Sequence, residues 1–284
     1  MRLVFIHGRA QGSSSSEKIE EDWLRAVKIG CTKSGAQLPS DLDIRVPFYG
    51  KYLDEATAGT QQRQTVSRGD GPQNSFEAET ILALAKQAGI SVEEITAEMQ
   101  DPEVLRGPEN WRLTLAAMRL LSRRAPYITE SYIRKFTADV HTYLTRPKVQ
   151  QQVNTMISEA LGEGPAVMIG HSLGSVVAYC TLAFHKSPPT VPLLVTVGSP
   201  LGIPTIKSYL PKPLGPPPGV KVWYNASDKR DPVALFPRLE REHFPAEVIN
   251  TSDVKNPKED AHGIAGYLSD QFVAGQIAAA LSRE

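Results

Sequence analysis

Residues 166–178 read Ala-Val-Met-Ile-Gly-His-Ser-Leu-Gly-Ser-Val-Val-Ala. This is an apolar run, a glycine-flanked turn with a serine at its apex, and a second apolar run. The turn Gly170-His171-Ser172-Leu173-Gly174 fits the pattern G-x-S-x-G. A strand entering such a turn and a helix leaving it force the apex residue into an unfavourable backbone conformation, which projects its side chain clear of the sheet. Two residues to either side, strand and helix nearly touch. A Cβ there would clash, and glycine at 170 and 174 removes it. Ser172 also stands at the N-terminus of the following helix, so the N–H of Leu173 points toward any negative charge that develops beside the hydroxyl. The bland alternative is a strand-to-helix turn with a capping serine. The strand before and the helix after favour a nucleophilic serine.

The chain has 284 residues, enough for one large α/β domain with an insertion or for two small domains. Its apolar fraction of 41% and charged fraction of 22% are ordinary for a globular protein. Net charge is zero, which gives no support for broad attraction to nucleic acid or to an acidic membrane. The two cysteines, Cys31 and Cys180, fit neither a metal-spacing motif nor a disulfide framework. Cys180 falls in the apolar helix after the turn and reads as a small buried hydrophobe. The opening run Leu3–Ile6 is too short for a secretory leader, and no run is long enough to span a bilayer. These features predict a reduced, cytoplasmic protein without a transmembrane segment.

Leu3–Ile6 is continuously apolar, as in a strand buried on both faces. It runs into His7-Gly8-Arg9-Ala10-Gln11-Gly12 and four serines, read as loop. A helical pattern with Trp23, Leu24, Val27 and Ile29 follows. Leu42–Phe48 alternates like a strand near a sheet edge. Gly50–Asp70 reads as irregular loop. Helices are expected over Phe76–Ala88, over Trp111–Leu121 (apolar around most of its circumference), and at Tyr132, Ile133, Phe136, Val140, Tyr143 and Leu144. No strand signal interrupts roughly 76–161. Strand and helix then alternate again: Ala166–Gly170, Leu173–Phe184, Pro192–Gly198, a proline-dense loop over Leu201–Gly219, Val220–Asn225, Ala246–Asn250, and one final amphipathic helix over Ile264–Leu281. The rhythm predicts an α/β fold with a mostly parallel, doubly wound sheet of about six strands. Residues 1–50 and 162–284 form its core, and 51–161 a largely helical insertion.

A serine hydroxyl needs a base, and the base needs a partner that orients it. For a serine on such a strand–turn–helix (a nucleophile elbow), the chain order is serine, acid, histidine. The strand Val220–Asn225 leads into a loop with Asp228 and Asp231. Asp231 is preferred because it lies deeper in the loop and is followed by the rigid Pro232; the other aspartate is expected to cap a turn. Of the six histidines (His7, His141, His171, His185, His243, His262), only the last two follow the acid. His262 is preferred, because it follows the last strand at the carboxyl end where α/β sites form; His243 reads as a surface or packing residue. The loop after the first strand can supply the second oxyanion donor, assigned to the N–H of Arg9 with Ala10 as the alternative.

Phe5-Ile6-His7-Gly8, Gly170-His171-Ser172-Leu173-Gly174, Gly198-Ser199-Pro200-Leu201-Gly202, Asp231-Pro232-Val233 and His262 occur in the order found in the α/β-hydrolase superfamily, which the chain resembles over everything but the helical insertion. The elbow is similar to that of lipases and carboxylesterases. Gly198-Ser199-Pro200 resembles a strand-end motif of lipase-like members, including relatives acting on glycolipid anchors. The antiparallel strands that usually open this fold are missing, and the insertion precedes the elbow strand. The resemblance implies a serine hydrolase that cleaves a carboxylic ester of a small-molecule or lipid-like acyl substrate, with no metal or organic cofactor. The alternatives on the same triad are a thioesterase, an amidase or a peptidase. A binding protein that keeps only the scaffold is the rival from another class. The insertion is a candidate lid, cap or docking element for a protein partner; its apolar helix faces could line an acyl cleft or simply pack a helical core.

Overall fold

A computed structural model of the chain describes residues 1–8, 14–64, 72–107, 109–234, 238–242 and 244–282. Six strands form one sheet among these residues: β1 (Arg2–Ile6), β2 (Asp43–Arg45), β3 (Ala166–His171), β4 (Leu194–Val197), β5 (Trp223–Ala226) and β6 (Ile249–Thr251). Every pairing is parallel and the order is β2-β1-β3-β4-β5-β6. The chain leaves β1 toward one side to make β2 and returns on the other side to make β3. The carboxyl ends of β1 and β3 therefore flank the point where strand order reverses, the crevice in which open α/β sheets bind ligands.

Successive strand residues feed opposite cores, as the two-residue repeat of a pleated strand requires. Val4, Ile6, Ala166, Met168, Leu194 and Trp223 join one apolar cluster, and Leu3, Phe5, Val167, Ile169, Val195 and Val197 join the other. The second cluster is closed by α1 (Ser16–Ser34) and by two C-terminal helices described below. The first contains the helices between β2 and β3: α2 (Gly50–Gln64), α3 (Pro72–Gln87), α4 (Val92–Glu98), α5 (Pro102–Leu105), α6 (Arg112–Arg124), α7 (Glu130–Thr145) and α8 (Pro147–Leu161). It also contains α9 (Leu173–Phe184), buried along nearly its whole length, with Cys180 inside it. The insertion helices thus share one continuous apolar interior with a face of the sheet.

Several segments differ from the sequence-based expectation. Gly50–Gln64 is helical rather than irregular. Tyr49, just before it, and Leu53 and Thr57 within it are buried at four-residue spacing among the described side chains, a signal that does not stand out beside so many Thr, Gln and Gly. Of the four serines expected in loop, Ser15 caps α1 by accepting the Lys18 N–H at 3.2 Å and Ser16 opens the helix, while Ser13 lies outside the described residues. The proline-dense stretch is mostly non-helical, as expected, with one short helix, α10 (Pro204–Tyr209), whose proline takes a first-turn position where no N–H is needed. The final helix is two: α11 (Ile264–Leu268) and α12 (Gln271–Leu281). Asp270 restarts it by accepting the N–H groups of Phe272 and Val273 at 2.9 and 3.1 Å. Around α6, Leu113 is exposed, so that helix is amphipathic rather than apolar on most sides. Strands expected at Val220–Asn225 and Ala246–Asn250 begin three residues later, at Trp223 and Ile249.

No helix among the described residues is long and apolar enough to cross a membrane. Leu53→Ala should cost about 2–5 kcal/mol by urea unfolding, since it empties a buried site in α2. Phe272→Ala should stay within about 0.5 kcal/mol, because Phe272 is 63% exposed.

Candidate active site

Ser172 has φ 54° and ψ −126°, and it is the one non-glycine residue with positive φ among those described. A left-handed conformation at a side-chain-bearing residue costs on the order of 1–3 kcal/mol and persists only where its surroundings enforce it. Three contacts do so. The Ser172 N–H donates to the Val197 carbonyl at 3.1 Å, tying the turn to the end of β4. A Cβ on Gly170 would lie 2.8 Å from the Gly174 carbonyl oxygen and the Ser175 Cα, so β3 and α9 meet there. A Cβ on Gly174 would collide with the Ile6 carbonyl at the end of β1. The second elbow glycine therefore answers to the neighbouring strand, not to β3 as the spacing alone suggests.

Asp231 and His262 come together. His262 Nδ1 and Asp231 Oδ2 are 2.8 Å apart, and both side chains are buried. A carboxylate can only accept, so Nδ1 donates, and in the neutral ring this tautomer leaves the lone pair on Nε2. Asp231 Oδ1 accepts the N–H of Val233 at 2.9 Å and, more loosely, that of Ala234 at 3.4 Å. Gly198, at φ +56°, follows β4; a Cβ there would lie 3.1 Å from both Asp231 Oδ2 and His262 Cε1. Only a glycine lets the pair settle against the end of that strand. Asp228 has a different environment. It holds Arg230 through bonds of 3.0 and 2.6 Å and accepts the N–H groups of Arg230 and Asn256, each at 2.8 Å. Burial raises its carboxyl, but Arg230 and those N–H groups outweigh it and hold it below the ordinary value. Asn256 in turn donates to the carbonyls of Ala261 and Gly263, which flank His262, at 2.8 and 3.1 Å. The other aspartate thus organises the loop that carries the histidine.

Ser172 and the histidine pair meet around the end of β4, through Val197 and Gly198. His171 closes the arrangement: its Nε2–H donates to the His262 carbonyl at 2.9 Å, with ring centroids 4.7 Å apart. Ser172 Oγ and His262 Nε2 are not hydrogen-bonded to each other. Both are buried and neither has a partner among the described residues.

Leu173 opens α9, so its N–H is among those an α-helix leaves without an internal acceptor. Arg9, Ala10 and His243 lie outside the described residues. Gly8, just before Arg9, packs on the elbow: a Cβ there would lie 2.9 Å from Ser172 Cβ. His7 is buried, stacks on Tyr49 with centroids 4.2 Å apart, and donates from Nδ1 to the Gly8 carbonyl at 2.8 Å. Tyr49 donates its hydroxyl to the His7 carbonyl. Desolvation lowers His7 to about 4, and burial beside His262 lowers His171 well below the ordinary imidazole value. Both are neutral near pH 7.

Sequence reasoning missed Gly198 as a site glycine, Tyr132, whose ring stands edge-on to His262 at 6.2 Å, and Tyr267, whose hydroxyl donates to Asp231 Oδ2 at 2.7 Å. Gly198 stood in a quoted motif, which was the available signal. Among the described residues no group of three His, Cys, Asp or Glu is arranged to hold a metal. Comparisons with protein-family models, curated proteins and solved structures found no match for this chain.

Unfolded His7 takes up its proton near 6.5 and folded His7 only near 4. Its contribution is therefore complete above the first value and is lost as pH falls toward the second, a difference of about 3 kcal/mol. Urea unfolding should show stability dropping between these limits. In His7→Gln the drop should be smaller by about that amount; an equal drop would assign the acid sensitivity elsewhere.

Proposed function

We propose that the chain is a serine hydrolase of α/β-hydrolase type that cleaves a carboxylic ester. The observation that carries this reading is the buried 2.8 Å bond between His262 Nδ1 and Asp231, which leaves His262 Nε2 and Ser172 Oγ desolvated and without partners. A structural histidine–aspartate pair gains nothing from such orphans, since each costs about 1–3 kcal/mol. A reaction that uses both atoms accounts for them, and for the strain at Ser172.

In this mechanism Ser172 Oγ attacks the ester carbonyl and its proton passes to His262 Nε2. The Asp231 carboxylate keeps the imidazole in the Nδ1–H tautomer and stabilises the imidazolium. The oxyanion is held by the Leu173 N–H and, in this proposal, by the Arg9 N–H. His262 then gives its proton to the leaving alkoxide. Water, deprotonated by the same nitrogen, releases the acyl group and regenerates Ser172.

A fluorophosphonate probe should add covalently to Ser172 in the wild type and not in Ser172→Ala, read by intact mass and peptide mapping. Absence of the wild-type adduct would overturn the proposal. A panel of p-nitrophenyl esters, thioesters and anilides should give the esters the highest kcat/KM; a clear preference for either other class would reassign the leaving group. Asp231→Asn should lower kcat on the order of 10³–10⁴-fold. Asp228→Asn should keep kcat within about tenfold while costing about 1–3 kcal/mol of stability.

A further inference from the structure

We propose that Tyr267 is a fourth member of the relay, a positioning residue whose hydroxyl fixes the orientation and tempers the charge of the Asp231 carboxylate. The inference rests on the hydrolase reading above. Tyr267 is fully buried on α11, with its ring 6.4 Å from that of His171. Its hydroxyl oxygen accepts the Asp228 N–H at 3.0 Å and its proton goes to Asp231 Oδ2 at 2.7 Å. The direction is forced. An N–H cannot accept, so the phenol proton can point only at the carboxylate. Burial and the adjacent Asp231 raise the phenol well above its ordinary value, so that proton stays on.

The oxygen that receives it is the one that holds His262 Nδ1. Oδ2 therefore divides its charge between an imidazole and a phenol, while Oδ1 is turned toward the Val233 N–H. The carboxylate cannot rotate without breaking a bond at each oxygen. A tyrosine serving only to fill space would have no need to compete with the imidazole for one lone-pair region. The hydroxyl also joins the two aspartates of the acid loop, since Asp228 reaches Asp231 through it.

The phenol withdraws charge from Oδ2. Removing it leaves a carboxylate that binds the protonated imidazole more tightly; a more acidic phenol does the reverse. The other titratable or charged groups that face this pair are Asp228 and Arg230 on the acid loop, Asp260 on the histidine loop, His171 on the elbow, Tyr127 between α6 and α7, and Tyr132 on α7. All of them stay in place in the variants below.

The test is the pH dependence of fluorophosphonate labelling in the full chain. Wild type is measured first; no adduct at Ser172 would sink the hydrolase reading itself, before Tyr267 is at issue. Given labelling, Tyr267→Phe should slow it about tenfold on the alkaline plateau, and move the midpoint of the acid limb up by about half a pH unit. Tyr267→fluorotyrosine keeps size and hydroxyl but strengthens the donor, and should move the midpoint down. Opposite displacements are a signature that loss of packing does not produce. A labelled wild type whose rate and midpoint are unchanged in Tyr267→Phe would overturn the role of Tyr267 alone. Should Tyr267→Phe fail to fold, the fluorotyrosine variant decides: an unmoved or raised midpoint overturns the proposal.

Discussion

Ser172 occupies a backbone conformation that its own Cβ resists, and much of the molecule is arranged to keep it there. The restraint comes from two neighbouring strands. β4 takes the serine N–H through Val197, and β1 presses its last carbonyls against Gly174. Both restraints act at the carboxyl edge, beside the reversal of strand order between β1 and β3. The elbow is thus a property of three parallel strands in register, and it is only as rigid as the apolar clusters on either face of the sheet that hold them.

Beside the elbow, buried polar groups are handled in two ways. Among those that shape loops, Asp228 is saturated by Arg230 and the Asn256 N–H, the Asn256 amide nitrogen donates to the carbonyls around His262, and Ser175 Oγ meets Ser199 Oγ at 2.7 Å. The orphans near the elbow are Ser172 Oγ, His262 Nε2, His7 Nε2 and Asn256 Oδ1, among buried side-chain atoms of the described residues. Buried unsatisfied groups are costly, so natural proteins keep few of them and often where chemistry is done. That the proposed nucleophile and base atoms are both among these few is the physical basis for reading the centre as reactive.

The strands of the sheet interior were legible because parallel strands covered on both faces read as unbroken apolar runs, as in Leu3–Ile6 and Ala166–Ile169. The elbow was legible because steric demand leaves glycine no substitute at 170 and 174. Local grammar failed where tertiary contact decides. Helix α2 rests on Leu53 and its neighbours, a pattern that only packing against α7 and α8 makes meaningful. The break before α12 comes from a single capping aspartate, inside a pattern that otherwise runs on. Asp228 and Asp231 differ by three positions in one loop, and which faces the histidine depends on a turn closed by the Asp231 N–H to the Asp228 carbonyl at 2.9 Å. Tyr267 looked like one more apolar-face residue of the last helix. Its hydroxyl gains meaning only from the height at which α11 passes beneath the acid loop.

The sheet ends on both sides in strands of three residues, β2 and β6. On the β2 side, Asp43 engages Arg2 at 2.8 Å and Arg45 at 2.6 Å, so the outermost backbone is flanked by fixed charges. A foreign strand approaching either rim would find too little unpaired backbone to register against, and on one rim charges it would have to desolvate. Truncation of its outermost members thus leaves this parallel sheet little rim on which a further strand could be templated.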